Sequence, residues 1–443
     1  MTPSPESRSA GTSLPDPVSS ASLDPSAPSP PLGKLAKIIR DSIKATGPIP
    51  ISRYMQFCLS HPTEGYYSKG DVFGKQGDFI TSPEISQVFG ELVAIWLLTR
   101  YMAAGSPPSV RLVELGPGRG TLMDDVLRTL STFPGISKAI RSVYLIDNSE
   151  KMQELQKLKL EPRIQGRDIE LKWSDRVEDV PQSNEFTMVI AHEFFDAMPI
   201  NLFEKTDEGF REVYVDADPS PTPTTPSGLR LALSRTASTL SDLLPTFSKR
   251  FDALPLGARV EISQENFKVM RAIGTLLNGG GGGVGLLVDY GDDKCFENSF
   301  RAFRDHEIVD IFHEPGTADL TANVDFAYLK ESLQGIARPL GPVTQSHFLQ
   351  SLGLQPRLMT LISSATSEKR REDIEKGARR LIDMEGMGGQ YKVLGVIGGT
   401  GSTDEVYPFP VGEAVEQVTR GAEEAKEEAV VDTPSEAKQG STD

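Results

Sequence analysis

The chain has 443 residues and a formal net charge of −16, which suits one large domain with insertions or two domains. That acidity argues against a nucleic-acid binder, whose binding face is basic. Two cysteines, Cys58 and Cys295, are too few for a disulfide framework, and neither they nor the five scattered histidines show metal-ligand spacing, so no metal and a reducing compartment are expected.

Residues 1–31 are rich in Ser and Pro and poor in bulky apolar side chains, and they are expected to be disordered. With Arg8 alone against Glu6, Asp16 and Asp24, they do not match an Arg-rich presequence. Region 32–107 reads as an N-terminal helical or lid region. An amphipathic helix over 34–46 carries Leu35, Ile38, Ile39 and Ile43 on one face, Gly47-Pro48 stops it, and a second helix covers 51–60. Ser82 is expected to cap a further helix, with Pro83 at its first position and Ile85, Val88, Phe89, Leu92, Ile95 and Trp96 on the buried stripe. From 108 to 399 strands and helices alternate. Strand 110–115 leads to helix 121–131, strand 142–147 to helix 149–160, and strands follow at 169–173 and 186–191. A Pro/Ser/Thr-rich surface insertion occupies 217–228. Helix 264–277, a floppy glycine linker at 279–283, strand 284–289, helices 325–335 and 367–383 and a last strand at 391–397 complete the series. Near-continuous apolar strands between helices predict an α/β fold whose mainly parallel sheet is covered on both faces. The Glu/Ala-rich stretch 400–443 is expected to be an acidic disordered tail. No apolar run approaches the roughly 20 residues of a bilayer-spanning helix, so no integral membrane segment is expected.

In such sheets ligands bind beyond the carboxyl ends of the strands. Strand 110–115 carries Glu114 and runs into Gly116, Gly118 and Gly120, which open a helix. A turn of this kind brings backbone N–H groups to a ligand; the plain alternative is a tight turn that needs positive φ. The third glycine comes one position too early for the dinucleotide fingerprint G-x-G-x-x-G, which disfavours a dinucleotide oxidoreductase. The pattern instead resembles motif I of the S-adenosylmethionine-dependent methyltransferases. Asp147 ends the second strand, where a carboxylate can accept both ribose hydroxyls; its bland role is capping helix 149–160, for which Ser149 competes. Trp173, Ser174 and Asp175 end the third strand and can meet an adenine, unless Trp173 is spent in the core. His192, Glu193 and Asp196 end the fourth. Paired carboxylates suit a guanidinium, whose fork Glu193 would align and whose proton His192 or Asp196 would accept; the alternative is helix capping, with Phe194 and Phe195 in the core. Asp78 and Thr81 precede a helix N-terminus, as a cofactor lid or as ordinary capping. His313-Glu-Pro-Gly316 with Asp319, Thr321 and Asp325 reads as a second pocket wall or as turn chemistry, with Thr321 or Asn323 as a helix cap.

Several motifs occur in order: Pro62-Thr-Glu-Gly-Tyr-Tyr67, Gly77-Asp-Phe-Ile-Thr-Ser-Pro83, Val113-Glu-Leu-Gly-Pro-Gly-Arg-Gly120, Glu193-Phe-Phe-Asp-Ala-Met-Pro199, Asp289-Tyr-Gly291, His313-Glu-Pro-Gly316 and Asp319-Leu-Thr321. Their co-occurrence over about 34–397 resembles the MidA-like mitochondrial protein arginine methyltransferases, assembly factors of respiratory complex I. The resemblance implies a class I methyltransferase fold with an added N-terminal helical part. It also implies S-adenosylmethionine as cofactor and a mitochondrial matrix location. The implied reaction is symmetric ω-dimethylation of an arginine in a complex I subunit of the 49-kDa type. By position it puts the glycine turn and Asp147 at the cofactor, and Glu193 and Asp196 at the substrate. This chain has Asp147 where the family usually has Glu, and His192 where it usually has Asn. The competing readings are a methyltransferase of small molecules and a non-catalytic assembly chaperone on the same fold.

Overall fold

The computed structural model describes residues 32–68, 81–220, 227–401 and 404–410. The expectations for 1–31, for Asp78 and for the tail from 411 onward lie outside the described residues.

The central sheet is built from β1 (Val110–Leu115), β2 (Ile140–Ile146), β3 (Glu170–Ser174), β4 (Phe186–His192), β5 (Gly283–Asp292), β6 (Ala337–Thr344) and β7 (Tyr391–Gly398). Their order is β3-β2-β1-β4-β5-β7-β6, and a short pairing of Val324–Asp325 extends the end of β5. Strands β1 to β5 run parallel, and β7 lies antiparallel between β5 and β6. This is a class I methyltransferase sheet. Side chains alternate between its faces as the pleat requires. Leu112, Met188, Ile190 and Leu286 meet Val88, Trp96 and Met123 on one face. Val113, Val189 and Leu287 meet Met270, Ile273 and Phe326 on the other. Every residue of β1 and β4 is buried, which explains why they read as near-continuous apolar runs, broken only by Arg111, Glu114, Thr187 and His192. The chain moves outward from β1 to β3 and then returns to β4. The switch point therefore falls between the loops that follow β1 and β4.

A second, antiparallel sheet was not legible as such. It contains Ile49–Pro50, Asn201–Thr206, Gly209–Ala217, Leu229–Leu233 and Arg259–Ile262. Its strands are short and half-buried, so their apolar positions are interleaved with polar ones. The expected insertion at 217–228 is the connection between two of these strands, with 221–226 outside the described residues. Leu35, Ile39, Ile51 and Tyr54 of the N-terminal helices pack on Leu202, Val215 and Leu320. The N-terminal helices at 34–60 thus share a core with residues from 200 to 322, whereas the helix Gln87–Ala103 packs on the central sheet.

Three local expectations need correction. Ser82 does not cap a long helix: Thr81 precedes a four-residue helix, Ser82–Ile85, and Ser86, in extended conformation, caps a separate helix, Gln87–Ala103, through Val88 N–H. The glycine linker is not floppy, because a Cβ at Gly281 would stand 2.2 Å from the carbonyl oxygen of Glu185, so the run packs directly on a neighbouring loop. The packed chain also passes residue 399. Val406 and Phe409 are buried, and the Tyr407 carbonyl accepts from Trp96 Nε1 at 3.2 Å. Among the described residues no helix is long and apolar enough to cross a membrane, and no cluster of three His, Cys, Asp or Glu residues could hold a metal.

Candidate active site

A cavity of about 340 Å³ opens at the switch point. One wall comes from the glycine turn. Gly116, Gly118 and Gly120 have φ of +62°, +51° and +76°, a region costly for residues with a Cβ. At Gly116 a Cβ would meet the Phe194 ring at 3.0 Å, so the loops after β1 and β4 touch there; at Gly118 it would face open space. Gly120 turns the other way and packs on Gln156 and Leu160. Glu114, 3% exposed at the end of β1, lines the cavity, and its Oε2 has no hydrogen-bond partner among the described residues. Burial pushes its carboxyl up to about 8. An orphaned, desolvated carboxylate oxygen facing a cavity needs a donor or a cation from a ligand.

Gln156 was not singled out in the sequence. It is fully buried, donates to the Gly118 carbonyl and to Asp147 Oδ2, both at 2.7 Å, and accepts from Trp173 Nε1 at 2.8 Å. A glutamine inside a polar, weakly amphipathic helix, Glu150–Ile164, gives no sequence signal of such a hub. Asp147 also accepts from Ser149 N–H at 2.9 Å. Both its oxygens are therefore turned into its own loop, and it does not line the cavity, although a carboxylate retains further lone pairs. Gly120 and Asp175 do not reach the cavity either; Asp175 is exposed beyond the edge strand β3. Of the expected cofactor residues, Glu114, Gly116, Gly118 and Thr81 converge on it.

The opposite part of the cavity is acidic and phenolic. His192 ends β4, and Glu193 takes φ +50°, an unusual conformation that turns its side chain into the cavity. Glu193 Oε1 accepts from Tyr391 OH at 3.1 Å, and Asp196 Oδ2 accepts from Tyr290 OH. Asp289, at 1% exposure, holds this loop by accepting from Phe194 N–H at 3.1 Å and Phe195 N–H at 2.9 Å. Glu193 and Asp196 therefore do not cap a helix. Burial, with the Asp196 charge beside it, pushes Glu193 up to about 8. Asp196 is raised by burial, and Asp289 is held well above the carboxylate range by burial and by both neighbours. Asp196 Oδ1 is buried without a hydrogen-bond partner among the described residues. The nearby cation, Arg301, lies over the Tyr290 ring but gives its Nη1 to Ser299 O and Asn323 Oδ1. Its charge offsets part of the burial of Asp196, but among the described residues no Arg or Lys forms an ion pair with Glu193, Asp196 or Asp289, so a bound cation would relieve the cluster further.

His192 is 7% exposed, stacks on Phe89 at 5.0 Å and has Nε2 without a hydrogen-bond partner. Burial pushes its imidazole down to about 3. It is therefore neutral at pH 7, and its 3.5 Å approach to Glu193 is not an ion pair. This corrects the expectation that it would take a proton. At the second wall, Asp319 lines the cavity, Thr321 lies buried in the same strand, and Asp325 caps helix Phe326–Ser332 in place of Thr321 or Asn323. Among the cavity residues, Tyr67, Tyr290 and Tyr391 were not singled out as site residues, since isolated tyrosines are equally at home in cores.

A family model of S-adenosyl-L-methionine-dependent methyltransferases matches residues 92–343. The chain is 35% identical over 384 residues to the mitochondrial protein arginine methyltransferase NDUFAF7 of Homo sapiens, covering 83% of this chain and 84% of that protein. It is 38% identical over 385 residues to the mitochondrial NDUFAF7 homolog of Drosophila melanogaster, covering 83% and 85%. A crystal structure of a COG1565 superfamily member from Burkholderia thailandensis, bound to S-adenosyl-homocysteine, aligns with TM-score 0.67 and 26% identity, covering 82% of this chain and 91% of that one.

Proposed function

The chain belongs to the S-adenosyl-L-methionine-dependent methyltransferase family that includes the mitochondrial protein arginine methyltransferases, and from that premise we propose that it methylates a protein arginine through the Glu193–Asp196 pair. The observation that carries this reading is the buried carboxyl cluster, which among the described residues has no Arg or Lys ion-paired to it and meets a glycine-turn cofactor wall in one cavity.

The cavity fits the cofactor. Gly118 leaves room for a close backbone approach, and the orphan Oε2 of Glu114 suits an ammonium or hydroxyl donor. Glu114, Gly116, Gly118 and Thr81 would hold it at the cavity. Asp147 is assigned to its adenosine half through the resemblance, Asp175 to the adenine by its place at the end of the third strand, and Gly120 to shaping the turn. When bound, S-adenosylmethionine supplies an electrophilic methyl on a sulfonium.

Glu193 and Asp196 hold the planar guanidinium fork by charge-assisted hydrogen bonds and draw its positive charge toward one edge. One ω-nitrogen is thereby left with more lone-pair character at the methyl side. Tyr391 and Tyr290 fix the two carboxylates, and Asp289 fixes their loop. As the nitrogen gains a methyl it becomes acidic, and its proton passes to Glu193, whose raised pKa suits that acceptance. His192 stays neutral and shapes the wall with Phe89.

By resemblance, the acceptor is an arginine of the 49-kDa-type complex I subunit, methylated once on each ω-nitrogen during assembly in the mitochondrial matrix. The relatives' description as mitochondrial supports the location. The test is calorimetric titration of S-adenosylmethionine, with NAD as control, against wild type and Glu114→Gln. Selective binding that weakens about tenfold or more in the variant supports the reading; no binding to folded wild type refutes it.

A further inference from the structure

A carboxylate from outside the methyltransferase sheet reaches the same cavity. Asp319 begins the strand Asp319–Thr321, which pairs with Arg301–Arg304 in a separate three-stranded sheet. It is 7% exposed and lines the cavity together with Glu193 and Asp196. Tyr67, which follows the N-terminal helices, donates its hydroxyl to Asp319 Oδ1 at 3.0 Å. Just past this strand, Ala322 N–H donates to the Asp196 carbonyl at 3.1 Å, so the two acidic walls are tied together through the backbone. Among the described residues Asp196 Oδ1 has no hydrogen-bond partner.

A guanidinium carries five N–H groups spread over more than one edge of a plane. Glu193 and Asp196 reach the cavity on one loop, and Asp319 reaches it on a separate strand. We infer that Asp319, positioned by Tyr67, is the second carboxylate arm of the acceptor pocket and a specificity-determining residue for a guanidinium. This rests on the arginine reading above and deepens it. With carboxylates on two independent elements, the fork stays gripped when its ω-nitrogens exchange places. A second methylation, on the other nitrogen, requires that exchange. An ammonium concentrates its three donors on one nitrogen whereas a guanidinium spreads five over a plane, so carboxylates on two elements fit the wider fork and the same arm favours arginine over lysine.

The test uses the full chain, tritiated S-adenosylmethionine and the 49-kDa-type subunit as acceptor, with binding of S-adenosylhomocysteine measured in parallel. Asp319→Asn is isosteric and still accepts from Tyr67. It is expected to raise KM for the acceptor about 10- to 100-fold, the range for a lost hydrogen bond to a charged group, with kcat within about threefold. The product should shift toward monomethylarginine, and homocysteine-form binding should not change. Tyr67→Phe leaves the charge and frees its rotamer; a KM rise of about 3- to 10-fold is expected. Unchanged KM and product ratio in both variants overturn the inference, as does a fall in kcat, cofactor affinity and melting temperature together, which marks a structural role. Wild type that labels a residue other than arginine overturns the arginine reading first and this inference with it.

Discussion

Replacing Glu193 with Gln should stabilise the ligand-free protein at pH 8 while abolishing turnover. In the folded chain burial and the neighbouring Asp196 raise the Glu193 carboxyl from an ordinary 4.5 to about 8. The sign follows from linkage: between those values the unfolded chain gives up the proton and the folded one keeps it, so stability falls as pH rises. At ~1.4 kcal/mol per pH unit the ceiling is ~5 kcal/mol at pH 8. The side chain is 15% exposed toward the cavity, where water screens part of this, and ~1–3 kcal/mol is the working expectation. Gln matches the protonated carboxyl in shape and can still accept from Tyr391 OH. Thermal melts of both proteins at pH 4.5 and pH 8 provide the assay. The variant should melt with wild type at pH 4.5 and a few degrees above it at pH 8. Equal melting at both pH values, or a less stable variant at pH 8, would refute the reasoning, because Glu193 would then ionise normally in the fold.

Glu91, 4% exposed, accepts from Arg128 Nη1 at 2.9 Å and from Arg357 Nε at 2.6 Å; burial opposes its charge, but the two guanidiniums prevail and hold its carboxyl below the ordinary range. Glu91→Gln should cost ~2–4 kcal/mol at pH 7 in denaturant melts. The wild-type advantage is full above the ordinary carboxylate range and is lost as pH falls through the lowered value. Gln156→Leu leaves the Gly118 carbonyl, Asp147 and the Trp173 indole short of partners. Calorimetry should show S-adenosylhomocysteine binding weakened about tenfold, the scale of one or two lost hydrogen bonds. Phe409→Ala removes a ring packed on Trp96 and Phe348, and thermal melts should report a loss of ~3–5 kcal/mol with cofactor affinity unchanged.

The central sheet was legible because its inner strands are buried on both faces and read as near-continuous apolar runs that lead into Gly, Asp or His. The antiparallel sheet hid because Gly209–Ala217 is half-buried, one partner, Leu229–Leu233, lies across a Pro/Ser/Thr-rich connection, and another, Ile49–Pro50, is remote in sequence. Within the site, Glu114, the cavity glycines, Glu193 and Asp196 stood at strand ends, where chain order alone marks them. Gln156 and Tyr67 did not: each acts through a partner, Gly118 or Asp319, remote in sequence. His192 shows the converse limit. Its place at a strand end suggested a base, but burial against Phe89 removes its charge, and that depends on packing rather than position.

The central claim is tested most directly by incubating the protein with S-adenosylmethionine carrying a labelled methyl and the 49-kDa-type complex I subunit, then locating the label by fragmentation mass spectrometry. Wild type should place it on an arginine ω-nitrogen, and Glu193→Gln should bind S-adenosylhomocysteine normally yet transfer none. Label on any other residue type, or undiminished transfer by Glu193→Gln, would contradict the account.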